Sequence, residues 1–560
     1  MRSTVPRPMA RAISFPRTRH VALSQAEQID EAKAKVEGAE ALVLPFASAA
    51  AETPAVGIPL PSPAEARLLP RVVAIDVSMA TSEADRCRAL DGSPAEVRCA
   101  SSLEGRAASG EAAARAAQLG EAVLIGGLDR WYRLGPEGAG YCRSCELALI
   151  EFLRESYGDH FQPFDPIEPL RSSALPLRER PFARQKEALR LSETIESAKR
   201  AVLRARDEAR RSRGLEMAVL GRVGVLSAAA LELCRHLDGL LFELPSLDPM
   251  EALLPLLAAR AALGQRPAVA VLPSGASAEE VQLFAALTAA CDADLLLPAD
   301  APEKAREALA VHRSFLALVR ERFRPVEPLA DAELLFSPRC DHWTSGAHQR
   351  ATAACLVALL RAQLQPALRL DLSGGVRAPL LIIAGGAALS EEDAAAARRH
   401  VEGGGDLLLL GRCATMDDEG RSGDAVFPEA KAALDQLGEG RLQLLEEAAP
   451  EAVVVRALGD LSRRRAQVTL AGRGRLFTRA YLDPERKLDV HLVNLEGAAA
   501  QGVQLTIAGH AAGGGRSGYW FAPDRDGGRD GERITLSPSG FSVSTILPSI
   551  AGYALLAVPR

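Results

Sequence analysis

Met217–Val223 reads MAVLGRV, Gly239–Pro245 reads GLLFELP, Ala268–Ser274 reads AVAVLPS and Ala293–Ala299 reads ADLLLPA. Each is an apolar run of strand length followed by a helical or loop-like stretch, the pattern of strands buried on both faces of a parallel sheet. Working back toward the N-terminus, the alternation recurs at His20–Ser24, Ala41–Phe46, Val72–Val77 and Ala122–Leu128. Eight such units between residues 20 and 299 have the size and number of an eight-stranded (β/α)8 barrel. An open, doubly wound sheet of eight strands is the competing arrangement, and length favours the barrel.

Outward from this core, Val311–Arg324 reads as the closing helix, and Pro325 with Pro328 marks a boundary. A small open α/β domain of flavodoxin-like type follows, with strands at Ala332–Ser337, Leu368–Leu372, Pro379–Gly385 and Asp406–Gly411. Its helix at Glu391–Val401 has Ser390 as N-cap, and Gly403, Gly404 and Gly405 supply a left-handed C-terminal turn. From about residue 450, short alternating strands split by turn residues predict an antiparallel β-sandwich, including Leu488–Asn494, Val503–Ile507, Tyr519–Ala522, Arg533–Leu536 and Gly552–Val558. The expected organisation is a loose tail over 1–18, a barrel over 19–325, the flavodoxin-like domain over 326–448 and the sandwich over 449–560.

A chain of 560 residues is too long for one core, which agrees with several domains. Hydrophobic residues at 48% and charged residues at 25% are ordinary for a soluble protein, and no run of about 18 apolar residues predicts a membrane span. The net charge of -6 provides no field for nucleic acid, and the basic stretch from Lys199 to Arg213 interleaves Asp207 and Glu208 as a solvated helix face would. Nine scattered cysteines, an odd number, do not form a disulfide framework, so a reducing, cytoplasmic setting is expected. Five arginines among the first nineteen residues lack the apolar run of a secretory signal behind them.

Tyr141-Cys142-Arg143-Ser144-Cys145, running into Phe152–Gly158, resembles the cysteine-rich loop and following helix of family 42 glycoside hydrolases, the β-galactosidases. Arg98-Cys99-Ala100-Ser101-Ser102 resembles the upstream cysteine segment of that family. Residues 378–411 resemble its trimerisation domain, and His491–Asn494 the start of its C-terminal sandwich. The resemblance implies a carbohydrate ligand and a homotrimer. It also implies a catalytic glutamate after the fourth strand and another after the seventh. The sequence departs at both places, with Gly127-Leu128-Asp129-Arg130-Trp131 at the first and Leu272-Pro273-Ser274-Gly275 at the second.

Strand ends read afresh place Asp76 on the third strand, Asp129 after the fourth and Glu243 on the sixth, three carboxylates expected on one rim. Glycoside hydrolysis needs one carboxylate to meet oxocarbenium charge and one carboxylic acid to protonate the leaving oxygen. Asp129 is the candidate nucleophile and Glu243 the candidate acid/base. Asp76, Trp131, Tyr132 and Arg222 are the candidate substrate contacts. The plainer alternative makes Asp129 and Glu243 ion-paired residues of the barrel mouth, with Trp131 packing its loop. A barrel that binds carbohydrate or a protein partner without cutting is the alternative function.

No cofactor is required by this chemistry. The cysteines admit a structural zinc, because Cys142 and Cys145 form half of a tetrahedral site and Cys99 adds a third ligand. The family's cluster carries a further cysteine where Gly140 stands here, so Cys87 is the remaining candidate. Reduced thiols left from an incomplete site are the expectation weighted above a full zinc centre. Cys340-Asp341-His342-Trp343 reads as a loop at the surface of the second domain.

Overall fold

The computed structural model describes residues 23–25, 41–45 and 71–559, except 81, 121, 159–163, 215, 299, 320–326, 418–441, 447–448, 463–465, 473–474, 484–486 and 524–530. The expected tail over 1–18 lies outside the described residues. The chain divides into two compact units, Met1–Glu243 with Gln265–Val271, and Leu244–Gly264 with Leu272–Arg560.

The barrel strands are β1 (Leu23–Gln25), β2 (Ala41–Pro45), β3 (Arg71–Asp76), β6 (Ala122–Gly126), β7 (Ala218–Val223), β8 (Gly239–Glu243), β9 (Ala268–Val271) and β10 (Asp294–Leu296). A hairpin of β4 (Arg86–Arg88) and β5 (Pro94–Arg98) is inserted after β3. The sheet order is β1-β2-β3-β6-β7-β8-β9-β10, so it follows the chain without a reversal. A doubly wound sheet changes direction at a switch point. Here every right-handed crossover advances the same way, which places the helices on one face and makes the sheet that of a (β/α)8 barrel.

All eight predicted strands are present, with ends displaced by a few residues. The largest displacements at the C-terminal ends have a common cause. β8, β9 and β10 each stop two residues before a proline, Pro245, Pro273 and Pro298, whose missing N–H cannot extend the ladder.

In the first unit, helix Leu103–Leu119 is capped by Ser102, whose Oγ accepts from the Gly105 N–H at 2.9 Å. It buries Gly110 and a run of alanines. The 31-residue helix Ala183–Arg213 buries Ala198, Ala201, Val202, Ala205 and Ala209 along one face. Small residues let the two helices approach closely, and an Arg106–Glu193 ion pair with a Gln118–Glu208 hydrogen bond at 2.8 Å joins them. Lys199 and Arg200 pair with Glu196, and Arg211 with Glu208, as the solvated-face reading expects.

In the second unit, a five-stranded parallel sheet runs Pro366–Arg369, Ala332–Leu335, Leu380–Ala384, Asp406–Leu410, Leu442–Leu445. That is the 2-1-3-4-5 order of flavodoxin-like domains. Ser390 caps helix Glu391–Glu402 as predicted, accepting from the Asp393 N–H at 3.0 Å. Only Gly404 of the three glycines is left-handed there among those at its end, with φ +87°, whereas Gly403 has φ -80°. Residues 338–344 correct the expected surface loop. They form a short helix capped by Ser337, with Cys340, Asp341 and His342 buried. Antiparallel sheets of six and four strands then share one core, in which Val490, Leu492, Trp520 and Leu556 meet Leu505, Ile507 and Val543. This is the β-sandwich.

Within the sandwich, Asp489 is buried on the strand Leu488–Asn494 and its Oδ2 has no hydrogen-bond partner. Burial first, then the neighbouring Asp483, pushes its carboxyl up to about 8, with Lys487 opposing. Its protonated form therefore contributes stability that is complete below the unfolded pKa, about 4, and lost as pH rises through about 8. The urea midpoint is expected to fall across that window, and Asp489→Asn is expected to flatten this part of the profile. An unchanged slope in the asparagine variant would refute the assignment.

Candidate functional site: a barrel rim and a four-cysteine centre

Parallel register sets the rim. Asp76 pairs with Gly126, and Gly126 with Arg222, so Asp76 and Arg222 occupy one row two strands apart. Arg222 pairs with Leu241, and the two-residue period of a strand returns Glu243 to the same face. The Asp76 and Glu243 side chains are 45% and 50% exposed, which leaves both carboxylates open to a ligand.

Each has a cationic neighbour. Arg130 lies 3.8 Å from Asp76, and Arg222 lies 3.7 Å from Glu243. Pairs this exposed contribute at most about 1 kcal/mol, so they orient the groups more than they stabilise the fold. Asp76 Oδ1 also accepts from the Ser78 N–H at 2.8 Å and its hydroxyl at 2.6 Å. The chain passes this turn only because Gly127 is a glycine. Its φ is +72°, and a Cβ there would stand 2.4 Å from Asp76 Oδ1.

Asp129 is placed differently. Where the sequence reading set three carboxylates on one rim, the structure leaves two there and buries the third completely. Asp129 Oδ2 accepts from the Ser227 hydroxyl at 3.0 Å and lies 3.2 Å from Arg133 Nε, while Oδ1 has no partner. Burial raises the pKa of this carboxyl, against the opposing pull of the Arg133 charge. Arg133 reaches it across Gly224, where a Cβ would stand 2.3 Å from the guanidinium. Ser227 carried no signal in the sequence, because its contact joins residues 98 apart, whereas Arg133 stands only four residues from Asp129 and was not singled out.

Trp131 is 4% exposed and packs into the cysteine core, its indole N–H donating to Cys87 Sγ at 3.3 Å. That is the loop-packing placement. Tyr132 is half-buried, and the Arg190 guanidinium covers its ring at 4.6 Å from the centroid.

The cysteines converge more fully than expected. Cys87 comes from β4, Cys99 from just beyond β5, Cys142 from the N-cap of helix Arg143–Tyr157 and Cys145 from its first turn. All four sulfurs lie within 4.8 Å of one another. The separations are 3.3 Å for Cys99 to both Cys142 and Cys145, 3.4 Å for Cys142 to Cys145, and 3.9 Å for Cys87 to Cys145. A disulfide would need about 2.05 Å. Four thiolates around one zinc at about 2.3 Å each stand roughly 3.8 Å apart, close to the spacing found. The weighting toward an incomplete site is thereby revised: the fourth ligand position is filled, and the set could hold a metal.

The surroundings suit thiolates. Two N–H groups, from Trp131 and from Gly140 at 3.1 Å, donate to Cys87 Sγ. Hydrogen bonds from Cys142 first, then Cys145 and Cys99, hold the Cys87 thiol below the usual range, while the same set pushes Cys99 and Cys145 up. Cys142 and Cys145 sit at a helix N-terminus, whose partial positive charge favours anions. Sequence reading missed the hairpin carrying Cys87 and Cys99. Its signal is the turn Asp91-Gly92-Ser93, in which Asp91 Oδ1 accepts from the Ser93 N–H at 2.9 Å and Gly92 takes φ +85°.

No family model matches the chain, and no curated protein matches it by sequence. Solved structures do match. The β-galactosidase from Bacillus circulans sp. alkalophilus aligns over 98% of this chain and 100% of its own, with TM-score 0.69 and 11% identity. Gan42B, a GH42 β-galactosidase from G. stearothermophilus, aligns over 98% and 99%, with TM-score 0.67 and 11% identity. The α-L-fucosidase isoenzyme 2 from Paenibacillus thiaminolyticus aligns over 97% and 99%, with TM-score 0.63 and 12% identity. The fold from end to end is that of family 42 β-galactosidases, and the identities show divergence.

If the four thiols form a metal centre, the folded chain should take up one zinc or cobalt ion per molecule. Cobalt should give the intense near-ultraviolet thiolate absorption, and Cys99→Ser should abolish it. Equal uptake by wild type and Cys99→Ser would rule the centre out.

Proposed function

We propose that this chain is a carbohydrate-binding barrel of the glycoside hydrolase type, which holds a galactoside or related oligosaccharide at its mouth without hydrolysing it. One observation carries the reading: of the carboxylates expected to form a hydrolytic pair, Asp129 is fully buried and bonded to Ser227 and Arg133, so it cannot reach a sugar carbon. Asp76, Arg130, Arg222 and Glu243 remain exposed on the face where barrels bind their ligands. Carboxylates and guanidinium groups so placed offer charge-assisted hydrogen bonds to vicinal hydroxyls.

A second reading keeps hydrolysis, with Asp129 and Glu243 as nucleophile and acid/base. The partnerless Asp129 Oδ1 favours it, since a buried acceptor without a donor has room for one from a ligand. This reading requires the loop carrying Asp129 to open.

The role of the four-cysteine centre in either reading is structural. Cys87, Cys99, Cys142 and Cys145 would hold a zinc ion, which supplies folding energy and no open coordination position. It would tie the hairpin after β3 to the loop after β6. Arg98 ties the same hairpin back to the end of β3, pairing with Asp85 at 3.1 Å and donating to the Val77 carbonyl at 3.0 Å. Nine free cysteines support a reducing, cytoplasmic setting. Likeness to family 42 enzymes supports a homotrimer; light scattering should then return three chain masses, and a monomer at micromolar concentration would contradict this.

Calorimetry with galactosides should detect binding, and Arg222→Ala or Glu243→Gln should weaken it about tenfold or more, the cost of a charged hydrogen bond. Wild type should release no product from an aryl-glycoside panel. Turnover that Asp129→Asn abolishes would replace this proposal with the second reading.

A further inference from the structure

Lys186 is the least expected residue near the cysteines. It lies in the first turn of helix Ala183–Arg213, it is 3% exposed, and its Nζ has no hydrogen-bond partner. A buried ammonium without an acceptor is expensive, typically by several kcal/mol. The Tyr141 ring, 5.3 Å from Nζ to its centroid, offsets part of that cost.

The ammonium is turned toward the sulfur cluster. Gly140 donates its N–H to Cys87 Sγ, and a Cβ on Gly140 would stand 2.9 Å from Lys186 Nζ and 3.7 Å from the Trp131 ring. That same ring donates to Cys87 Sγ through its N–H. Gly140, with φ +103°, therefore adopts a backbone conformation suited to glycine and leaves the space that the ammonium occupies beside the ligand set. Tyr141, whose face the ammonium meets, immediately precedes Cys142.

We infer that Lys186 is the built-in counter-cation of the metal centre, placed to neutralise part of the charge that a divalent ion bound by four thiolates leaves behind. The inference rests on the structural-metal reading above. Four thiolates exceed a divalent charge by two, and the net anion lies in a dry apolar pocket formed by Ala95, Val97, Ala100 and Ala139. There the attraction between ammonium and cluster is screened little. One buried charge supplies the partner that the other lacks. Binding a divalent ion gathers all four sulfurs as thiolates, so metal binding and acceptance of the buried lysine favour each other.

The test uses the full chain and zinc itself, measured by competition with a chromophoric chelator. Lys186→Met and Lys186→Gln should weaken zinc about 10- to 100-fold, the range of outer-sphere substitutions, while Lys186→Arg retains most of the affinity by keeping the charge. Neutral variants that fold, by circular dichroism, and hold zinc as tightly as wild type would overturn the role of Lys186. Should neither neutral variant fold, wild type labelled with 15N-lysine decides. The Lys186 Nζ resonance, assigned by its loss in Lys186→Arg, should move on adding zinc, and an unmoved resonance would equally refute the inference. Wild type that takes up no zinc would instead sink the metal reading, an outcome distinguishable from both.

Discussion

Unbroken parallel pairing from β2 to β9 is the constraint on which the rim depends. Each strand adds to the edge of the one before it, and the register carries Asp76, Gly126 and Arg222 into one row. The pairing joins backbone groups, so it fixes the row without dictating which polar side chains stand at its end. The same geometry could display a hydrolytic pair, an ion-paired rim or a binding surface. What distinguishes these is the loop after β6, where a turn at Gly127 and a short helix at Arg130–Arg133 draw Asp129 beneath the surface.

The cysteine centre addresses a problem that the sheet alone leaves open. The β4–β5 hairpin is too small to be stable by itself, and the loop over residues 127–142 holds only two four-residue helices. Four thiols and two N–H donors to Cys87, one indole and one backbone, join these pieces at one point, and a buried Arg98–Asp85 pair closes the hairpin itself. A metal held by these thiols would cross-link the hairpin to this loop through the small core they share. That Trp131 packs against this centre explains why an aromatic residue beside the rim is turned away from solvent.

Much of this was legible in the residues. Apolar runs of strand length separated by helical stretches specified eight parallel strands, but three of them were read on to or past Pro245, Pro273 and Pro298, two residues before which they end. The Ser390 cap was readable because capping is a contact between near neighbours in sequence. The pairing of Glu243 with Arg222 was the plainer alternative weighed against a catalytic role for Glu243. Short polar segments misled, as at Cys340–Trp343, where a capped helix is buried by tertiary packing that local composition does not report. The hairpin with Cys87 was passed over because its strands are three and five residues long.

Local, periodic features are therefore what the sequence determined by itself: the barrel of parallel strands, the flavodoxin-like domain, the sandwich, and three of the four sulfur ligands. Tertiary structure alone decided which side chains face solvent. The burial of Asp129 depends on Ser227, the fourth thiol on a hairpin folded back by 43 to 58 residues, and the position of Lys186 on a helix beginning some forty residues after the cysteine loop. Periodicity reports how a segment meets its immediate neighbours. It holds no information about which distant loop will close over a carboxylate, because that is set by chain closure and packing between segments far apart in sequence.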